Sequence, residues 1–439
     1  MPTLDTLYEA HLEALRARTD QALSATGFDA LAIHSGRSWM QFLDDQPYPF
    51  KVNPHFKAWA PLTGVADCWV LYQPAKPPRL LFVQPDDFWH KPPALPTEYW
   101  ARHFEIVVLR DATEARTYVT RLANCALIGE WQTEYADWGF AAGNPKPLLD
   151  WLHYQRARKT PYELECMLQA SLHGARGHKA AEAAFRAGAS EFEIHLAYLQ
   201  ASGHTEAELP YPNIVALNTN SAVLHYQHQE RQPPQISRSF LIDAGAEVAG
   251  YAADITRTYS ARDDEFAALI EGMTRLQQEL CAQVRSGVDY ADLHLDAHRR
   301  IAALLRDASV ISAPPDEAVA SGLSGIFFPH GVGHLLGLQV HDVGGFSVDP
   351  EGRQKARPAG HPYLRLTRTL EPGFVVTIEP GLYFIEALLD QARQGPLGKQ
   401  IDWRQVERYL PYGGIRVEDN VACTQGAPEN LTRTAFAAA

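Results

Sequence analysis

Ser239-Phe-Leu-Ile-Asp243-Ala-Gly-Ala-Glu-Val-Ala-Gly250-Tyr-Ala-Ala-Asp254-Ile-Thr-Arg-Thr258 reads as two apolar strands around a turn of small residues. With Val248-Ala249 as a two-residue turn, antiparallel pairing sets Asp243 directly opposite Asp254. Side chains so opposed share one face, with Cβ atoms about 5 Å apart. Two carboxylates at that distance repel in a low dielectric, and a bound cation removes the repulsion. The competing reading is a surface hairpin with solvated acids. Against it, Phe240, Leu241, Ile242 and Ile255 give the hairpin the composition of a buried one.

Outward from the hairpin, three further segments carry polar chemistry in apolar surroundings. Phe327-Phe-Pro-His330-Gly-Val-Gly-His334-Leu-Leu-Gly-Leu-Gln-Val-His341-Asp342 holds three histidines within a short glycine-rich stretch. Imidazole is both a common metal ligand and an acid/base group near neutral pH, and the glycines would let the backbone approach a ligand closely. The glutamate of an H-E-x-x-H zinc helix is missing. Phe374-Val-Val-Thr-Ile-Glu379-Pro-Gly381 ends an apolar run on a carboxylate. Gly413-Gly-Ile-Arg416-Val-Glu418-Asp419 places Arg416 and Glu418 on one strand face, where an ion pair between the two is the plain alternative to a ligand role. A glutamate at the end of a buried strand needs a partner. Taken together, Asp243, Asp254, His334, Glu379 and Glu418 are a hard oxygen set with one imidazole and no sulfur. It suits manganese, with cobalt, iron or zinc as other occupants. Four carboxylates exceed what one divalent ion needs, so two ions are expected.

The remainder of the chain bounds the answer. At 439 residues two domains are expected. The formal net charge of −13 disfavours nucleic acid and anionic membranes as partners. Cys68, Cys125, Cys166, Cys281 and Cys423 are widely spaced with no C-x-x-C clip, which suits a reducing compartment. The N-terminus has no basic segment followed by an apolar core, and no run is long enough to span a bilayer, so a cytoplasmic enzyme is expected. Leu4, Leu7, Tyr8, Leu12 and Leu15 recur at helical spacing, and Ala30–Ile33, Trp69–Tyr72, Leu80–Val83 and Ile106–Leu109 suit buried strands. Asp44-Asp-Gln-Pro-Tyr-Pro-Phe50 is a proline-broken loop. Thr160-Pro-Tyr-Glu163 and Ser190-Glu-Phe-Glu193 are capping-box signals opening helices. A helix through Phe266–Leu280 should stop near Gly287, and another should start at Asp289. The fold class expected is α+β: a mixed α/β domain over residues 1–157, then a helix-and-hairpin domain over 158–439.

These motifs resemble those of the creatinase/methionine-aminopeptidase superfamily of "pita-bread" metallopeptidases, and among them bacterial Xaa-Pro dipeptidases (prolidases), including the organophosphorus acid anhydrolase type. The resemblance is carried by Asp243-Ala-Gly-Ala, Tyr251-Ala-Ala-Asp254-Ile-Thr-Arg257, Pro329-His-Gly-Val-Gly-His334, Val340-His-Asp-Val-Gly344, Thr377-Ile-Glu-Pro-Gly381 and Gly414-Ile-Arg-Val-Glu418. Phe42-Leu-Asp-Asp45, Pro49-Phe-Lys-Val-Asn53 and Asp87-Phe-Trp-His90 extend it into the N-terminal part. It implies that Asp243 holds one metal, that His334 and Glu379 hold the other, and that Asp254 and Glu418 bridge. Glu379 would also shuttle the proton, with His341 and His225 stabilising the oxyanion. Arg365 would grip the substrate carboxylate, and Arg416 would orient Glu418 and the site edge. Tyr211, Tyr290 and His330 would line the substrate pocket, although Tyr290 reads equally as a surface aromatic beside a helix cap. Asp45 would reach the site of a partner subunit in a homodimer. The activity implied is hydrolysis of Xaa-Pro dipeptides, with organophosphate esters or fluorides as side substrates. Two alternatives remain: an Xaa-Pro aminopeptidase acting on longer peptides, and a metal-free peptide-binding relative of the same fold.

Overall fold

The apolar runs Ala30–His34 (β1), Trp69–Tyr72 (β2), Arg79–Val83 (β3) and Glu105–Leu109 (β4) are strands of one sheet in the computed structural model, which describes residues 3–439. Cys125–Ile128 (β5) and Ala142–Gly143 (β6) complete the sheet, in the order β4-β3-β2-β1-β5-β6. β1 to β3 are buried as expected, but Val108 of β4 is 37% exposed. β4 is an edge strand, so only part of its surface is covered. Leu4–Thr26 (α1) starts at Thr3, whose side chain accepts the Thr6 N–H, and ends at Gly27 in the left-handed conformation. Pro54–Trp59 (α2), Ala115–Val119 (α3) and Lys146–Arg156 (α4) are the other α-helices of this half.

Both capping boxes form. Thr160 and Glu163 exchange side-chain and backbone bonds at the start of Pro161–Arg186 (α5), and Ser190 and Glu193 do so at Glu191–Ser202 (α6). Glu265–Cys281 (α7) stops before Gly287, whose N–H bonds instead to the Leu370 carbonyl at 2.9 Å. Asp289 caps Tyr290–Asp307 (α8).

Strands Ile214–Leu217 (β7), Ser239–Asp243 (β8), Glu247–Val248 (β9), Tyr251–Ala252 (β10) and Thr256–Ser260 (β11) build the first part of the site. β8 pairs antiparallel with both β7 and β11. The hairpin turn falls one residue later than expected. Ala249 (φ 53) and Gly250 (φ 89) are its central residues, and Val248 pairs with Tyr251. A turn with positive φ at both central positions excludes β-branched Val248 and accepts glycine. Asp243 therefore lies opposite Thr256, not Asp254. The partner moves by an even number of residues, so Asp254 stays on the same face as the diagonal neighbour of Asp243.

The second part comes from Val375–Ile378 (β12), Gly381–Tyr383 (β13), Gly414–Arg416 (β14), Asp419–Ala422 (β15) and Glu429–Asn430 (β16). β12 pairs with β15 and β13 with β14 in one continuous register, interrupted at Pro380, which has no N–H to give. Continuing that register across the interruption sets Glu379 opposite Glu418. Residues 332–336 run along the free edge of β12, with Glu379 N–H bonded to the Val332 carbonyl at 2.8 Å and Thr377 N–H to the His334 carbonyl at 3.0 Å. Gly333 (φ 152) is obligatory there: a Cβ would stand 2.1 Å from the Thr377 carbonyl. The close approach served by this glycine is to backbone, not to a ligand.

Candidate metal centre

Two hairpins thus deliver paired acids to one place. The Glu418 N–H bonds to the Thr256 carbonyl at 3.0 Å, and the Thr256 hydroxyl donates to Glu418 Oε2 at 2.6 Å, which ties the two hairpins together. Asp254, Glu418 and His334 are 5%, 2% and 3% exposed. One ligand atom of each lies within 4.8 Å of the others. The Tyr211 hydroxyl sits 2.8 Å from Asp243 Oδ1 and 2.6 Å from Asp254 Oδ1 and donates its single proton between them. His334 donates from Nδ1 to the Leu335 carbonyl at 3.0 Å. That bond turns its Nε2 toward Asp254 Oδ2 at 3.6 Å and Glu379 Oε1 at 3.3 Å.

The electrostatics are those of a cation site. Burial, followed by the charges of Asp243 and Glu379, pushes the Asp254 carboxyl far up. Burial and the neighbouring Asp254 do the same to Glu418. Glu379 is pushed up to about 7 by burial, against the opposing pull of Arg416. Burial and neighbouring His341 lower His334 to about 3, leaving a neutral imidazole with a free lone pair. The Arg416 guanidinium bonds to Asp243 Oδ2 at 2.6 Å. One guanidinium does not balance four carboxylates, and divalent cations do. The donor set therefore fits divalent metal.

Arg416 pairs with Asp243 rather than with Glu418. Its Nη1 donates to the Tyr383 hydroxyl at 2.8 Å, and its Nε to the Thr256 hydroxyl at 3.2 Å. It reaches Glu418 only through that threonine. Tyr290 is not a surface aromatic: it is fully buried under the site, and its hydroxyl donates to the Thr377 carbonyl at 2.7 Å. His330 contacts the Tyr383 hydroxyl through Nε2 at 2.9 Å, and its Nδ1 lies 3.9 Å from Glu379 Oε2. His341 packs edge-on to His334 at 4.5 Å. Asp243, Asp254, Tyr211, His225 and His341 line a cleft of about 1110 Å³ whose opposite wall includes Lys51, His55 and His153. Arg365 is exposed, close enough to bear electrostatically on His334 and His341. Asp45 is also exposed, with its carboxylate bonded to the Gln46 side chain, and does not line the cleft of its own chain.

Several working side chains escaped the sequence reading. Thr256, Thr377 and Tyr383 each stand two or four residues from a recognised acid on a buried strand, and that alternation was the available signal. The Asp342 side chain is fully buried and held by Arg156 and by Lys159 Nζ at 2.9 Å, which binds the segment behind His341 to the end of α4. Glu191 accepts from Leu217 N at 2.7 Å, Asn220 Nδ2 at 2.8 Å, Tyr226 Oη at 2.7 Å and Glu230 N at 2.8 Å, fixing the loop that carries His225. Neither long-range partnership leaves a local mark in the sequence.

Comparison with known proteins agrees with this geometry. Residues 6–154 match the family described as Xaa-Pro dipeptidase, N-terminal domain, and residues 165–425 match metallopeptidase family M24. The chain is 53% identical to a Xaa-Pro dipeptidase of Stenotrophomonas maltophilia (strain R551-3), over 99% of this chain and 98% of that one. It is 51% identical to a Xaa-Pro dipeptidase of Xanthomonas axonopodis pv. citri (strain 306), over 100% and 99%. Among solved structures it is similar in fold to aminopeptidase P from E. coli with the inhibitor Pro-Leu (TM-score 0.74, 21% identity, 96% and 95% covered). It is likewise similar to proline aminopeptidase P II from Yersinia pestis (TM-score 0.72, 22% identity, 97% and 96% covered).

Proposed function

We propose that this chain, which belongs to metallopeptidase family M24, hydrolyses Xaa-Pro dipeptides to a free amino acid and proline in a metal-dependent reaction. The observation that carries the reading is the convergence of Asp254, His334 and Glu418 beside the cleft that Asp254 lines, in a chain 53% identical to a Xaa-Pro dipeptidase over nearly its whole length.

In this reading Asp243 holds one divalent ion, His334 and Glu379 hold a second, and Asp254 and Glu418 are shared. Two Mn2+ ions suit a set with so many oxygens and no thiolate. When bound, the metals supply Lewis-acid polarisation and an acidified water. Glu379 takes the proton of the attacking water and returns it to the leaving nitrogen, a general acid/base role open to a buried carboxylate that is itself among the ligands. His341 and His225 face the cleft as donors to the developing oxyanion. Arg365 takes the substrate carboxylate, since a guanidinium fits a carboxylate bidentately. Asp45 of a partner subunit meets the substrate ammonium. Tyr211 and Arg416 act on Asp243, and His330 and Tyr290 support the Glu379 side.

A homodimer belongs to the same reading. The loop around Asp45 exposes Phe42 at 86% and Leu43 at 90%, apolar surface that a second copy would cover. Among the described residues no helix is long and apolar enough to cross a membrane, and the five cysteines are unpaired, in keeping with a cytoplasmic setting. The division into domains at 157/158 is supported by family matches ending at 154 and starting at 165. Hydrolysis of Gly-Pro, Ala-Pro, Leu-Pro and an Xaa-Pro tripeptide by metal-stripped protein, with and without Mn2+, tests the proposal. Turnover of the dipeptides only with metal is expected. Equal turnover of the tripeptide would replace the dipeptidase by an aminopeptidase, and full activity without bound metal would overturn both.

A further inference from the structure

Away from the carboxylates, a second group of ligating side chains comes together behind His330. One nitrogen each of His294, His298 and His361 lies within 4.8 Å of the other two. His294 and His298 are four residues apart on α8 and so share a face of the helix. His361 comes from the 358–364 loop. The ring centroids are 4.7 Å apart for His294–His298, 4.7 Å for His294–His361 and 4.6 Å for His298–His361, and the rings stand at steep angles to one another. His294 is 1% and His298 2% exposed, yet both border a cavity of about 500 Å³ that also meets His361, Ser321 and Tyr363.

A hydrogen-bonded structural cluster explains part of this. His294 Nε2 and His361 Nδ1 are 2.9 Å apart, and His298 Nδ1 meets the Ser324 hydroxyl at 3.0 Å. It leaves His298 Nε2 free: among the described residues that nitrogen has no hydrogen-bond partner, and it opens onto the cavity rather than being sealed in the core. In the tautomer that gives Nδ1–H to Ser324, Nε2 presents a free lone pair.

We propose that His294, His298 and His361 form a separate site for a borderline transition-metal ion of the Zn2+ type. Three imidazoles without a carboxylate suit zinc, copper or nickel, whereas the oxygen-rich centre suits manganese. Three protein ligands leave a fourth position open to water from the cavity. His361 is only partly buried and has room to move off His294 as an ion enters. Occupancy has a definite cost. The Val332 N–H lies 3.3 Å from His294 Nδ1, and ligation through Nε2 requires the proton on Nδ1, so that contact is given up.

The test is a metal count on the whole enzyme. Wild type, His298→Ala and His361→Ala are loaded with Mn2+, equilibrated with Zn2+ and freed of unbound ion, and total metal per chain is measured. Each variant is expected to hold one ion fewer than wild type. With Co2+ as the probe, the variants lose the visible absorption that the additional ion contributes. Equal metal content in wild type and His361→Ala overturns the site, and His361, on a partly exposed loop, can be replaced without emptying the core. Hydrolysis of Ala-Pro by the Mn2+ forms reads the carboxylate centre separately, so the failure of one proposal is distinguishable from failure of the other.

Discussion

Glu379 shows most directly what one residue is asked to do. In the proposed reaction its carboxyl is both a ligand and a proton carrier, and in the metal-free chain burial, with the nearby charge of Asp243, raises its proton affinity. Glu379→Gln keeps the volume and removes the base. Because proton transfer acts in the transition state, kcat should fall about 10²–10⁴-fold with little change in KM, in a variant whose metal content is verified. A higher KM with kcat intact contradicts the assignment. The same burial has a pH consequence. Carboxyls whose folded pKa is raised favour folding while protonated, so their contribution is present at low pH and is lost as pH rises toward about 7 for Glu379. Metal competes with those protons. A fixed concentration of Mn2+ should therefore raise the unfolding temperature of the stripped protein more at pH 8 than at pH 6, and an equal or reversed effect in a thermal scan counts against the carboxylate centre.

Between residues, the elements hold the chemistry in register through pairs far apart in the chain. The buried Asp342 carboxylate is held well below the usual carboxylate range by Arg156 and Lys159, although burial alone would raise it. This contact joins the segment bearing His341 to the start of the second half of the chain. Asp342→Asn leaves two buried cations short of their counter-charge. Losing one partner of a buried pair costs about 3–5 kcal/mol, and denaturant unfolding should show a loss of that size, with lower turnover because His341 loses its support. A variant with unchanged stability would mean that the cluster relaxes freely. The strand reading was good for β1, β2 and β3, where short apolar runs are bounded by turn signals, and for α5 and α6, where capping is local. It missed the edge exposure of β4 because the neighbours of a strand in a sheet are not encoded in its own residues.

For the whole molecule, the cleft has walls from both halves, and the loop bearing Asp45 points its apolar tip at solvent. A single chain gains nothing from exposing Phe42 and Leu43, and an interface between copies does. On the proposed homodimer, Phe42→Ser with Leu43→Ser should shift the mass in light scattering from dimer to monomer. If Asp45 serves the neighbouring site as proposed, its loss from there should then raise KM for Ala-Pro severalfold. A wild-type protein that is monomeric at micromolar concentration removes Asp45 from substrate recognition.

The sequence by itself determined the chemistry available: which strands end in acids, which helices are capped, and that the candidate ligands are oxygens and imidazole without sulfur. These follow from residue type and from periods of two and 3.6, which are local properties. Only the tertiary structure decided who meets whom. Ala249 and Gly250 took the turn because Val248 resists positive φ, which moved Thr256 opposite Asp243. Arg416 went to Asp243, Glu379 came to lie opposite Glu418, and His361 joined His294 and His298. Such partnerships depend on register and on packing between segments tens to hundreds of residues apart, and no local pattern encodes them.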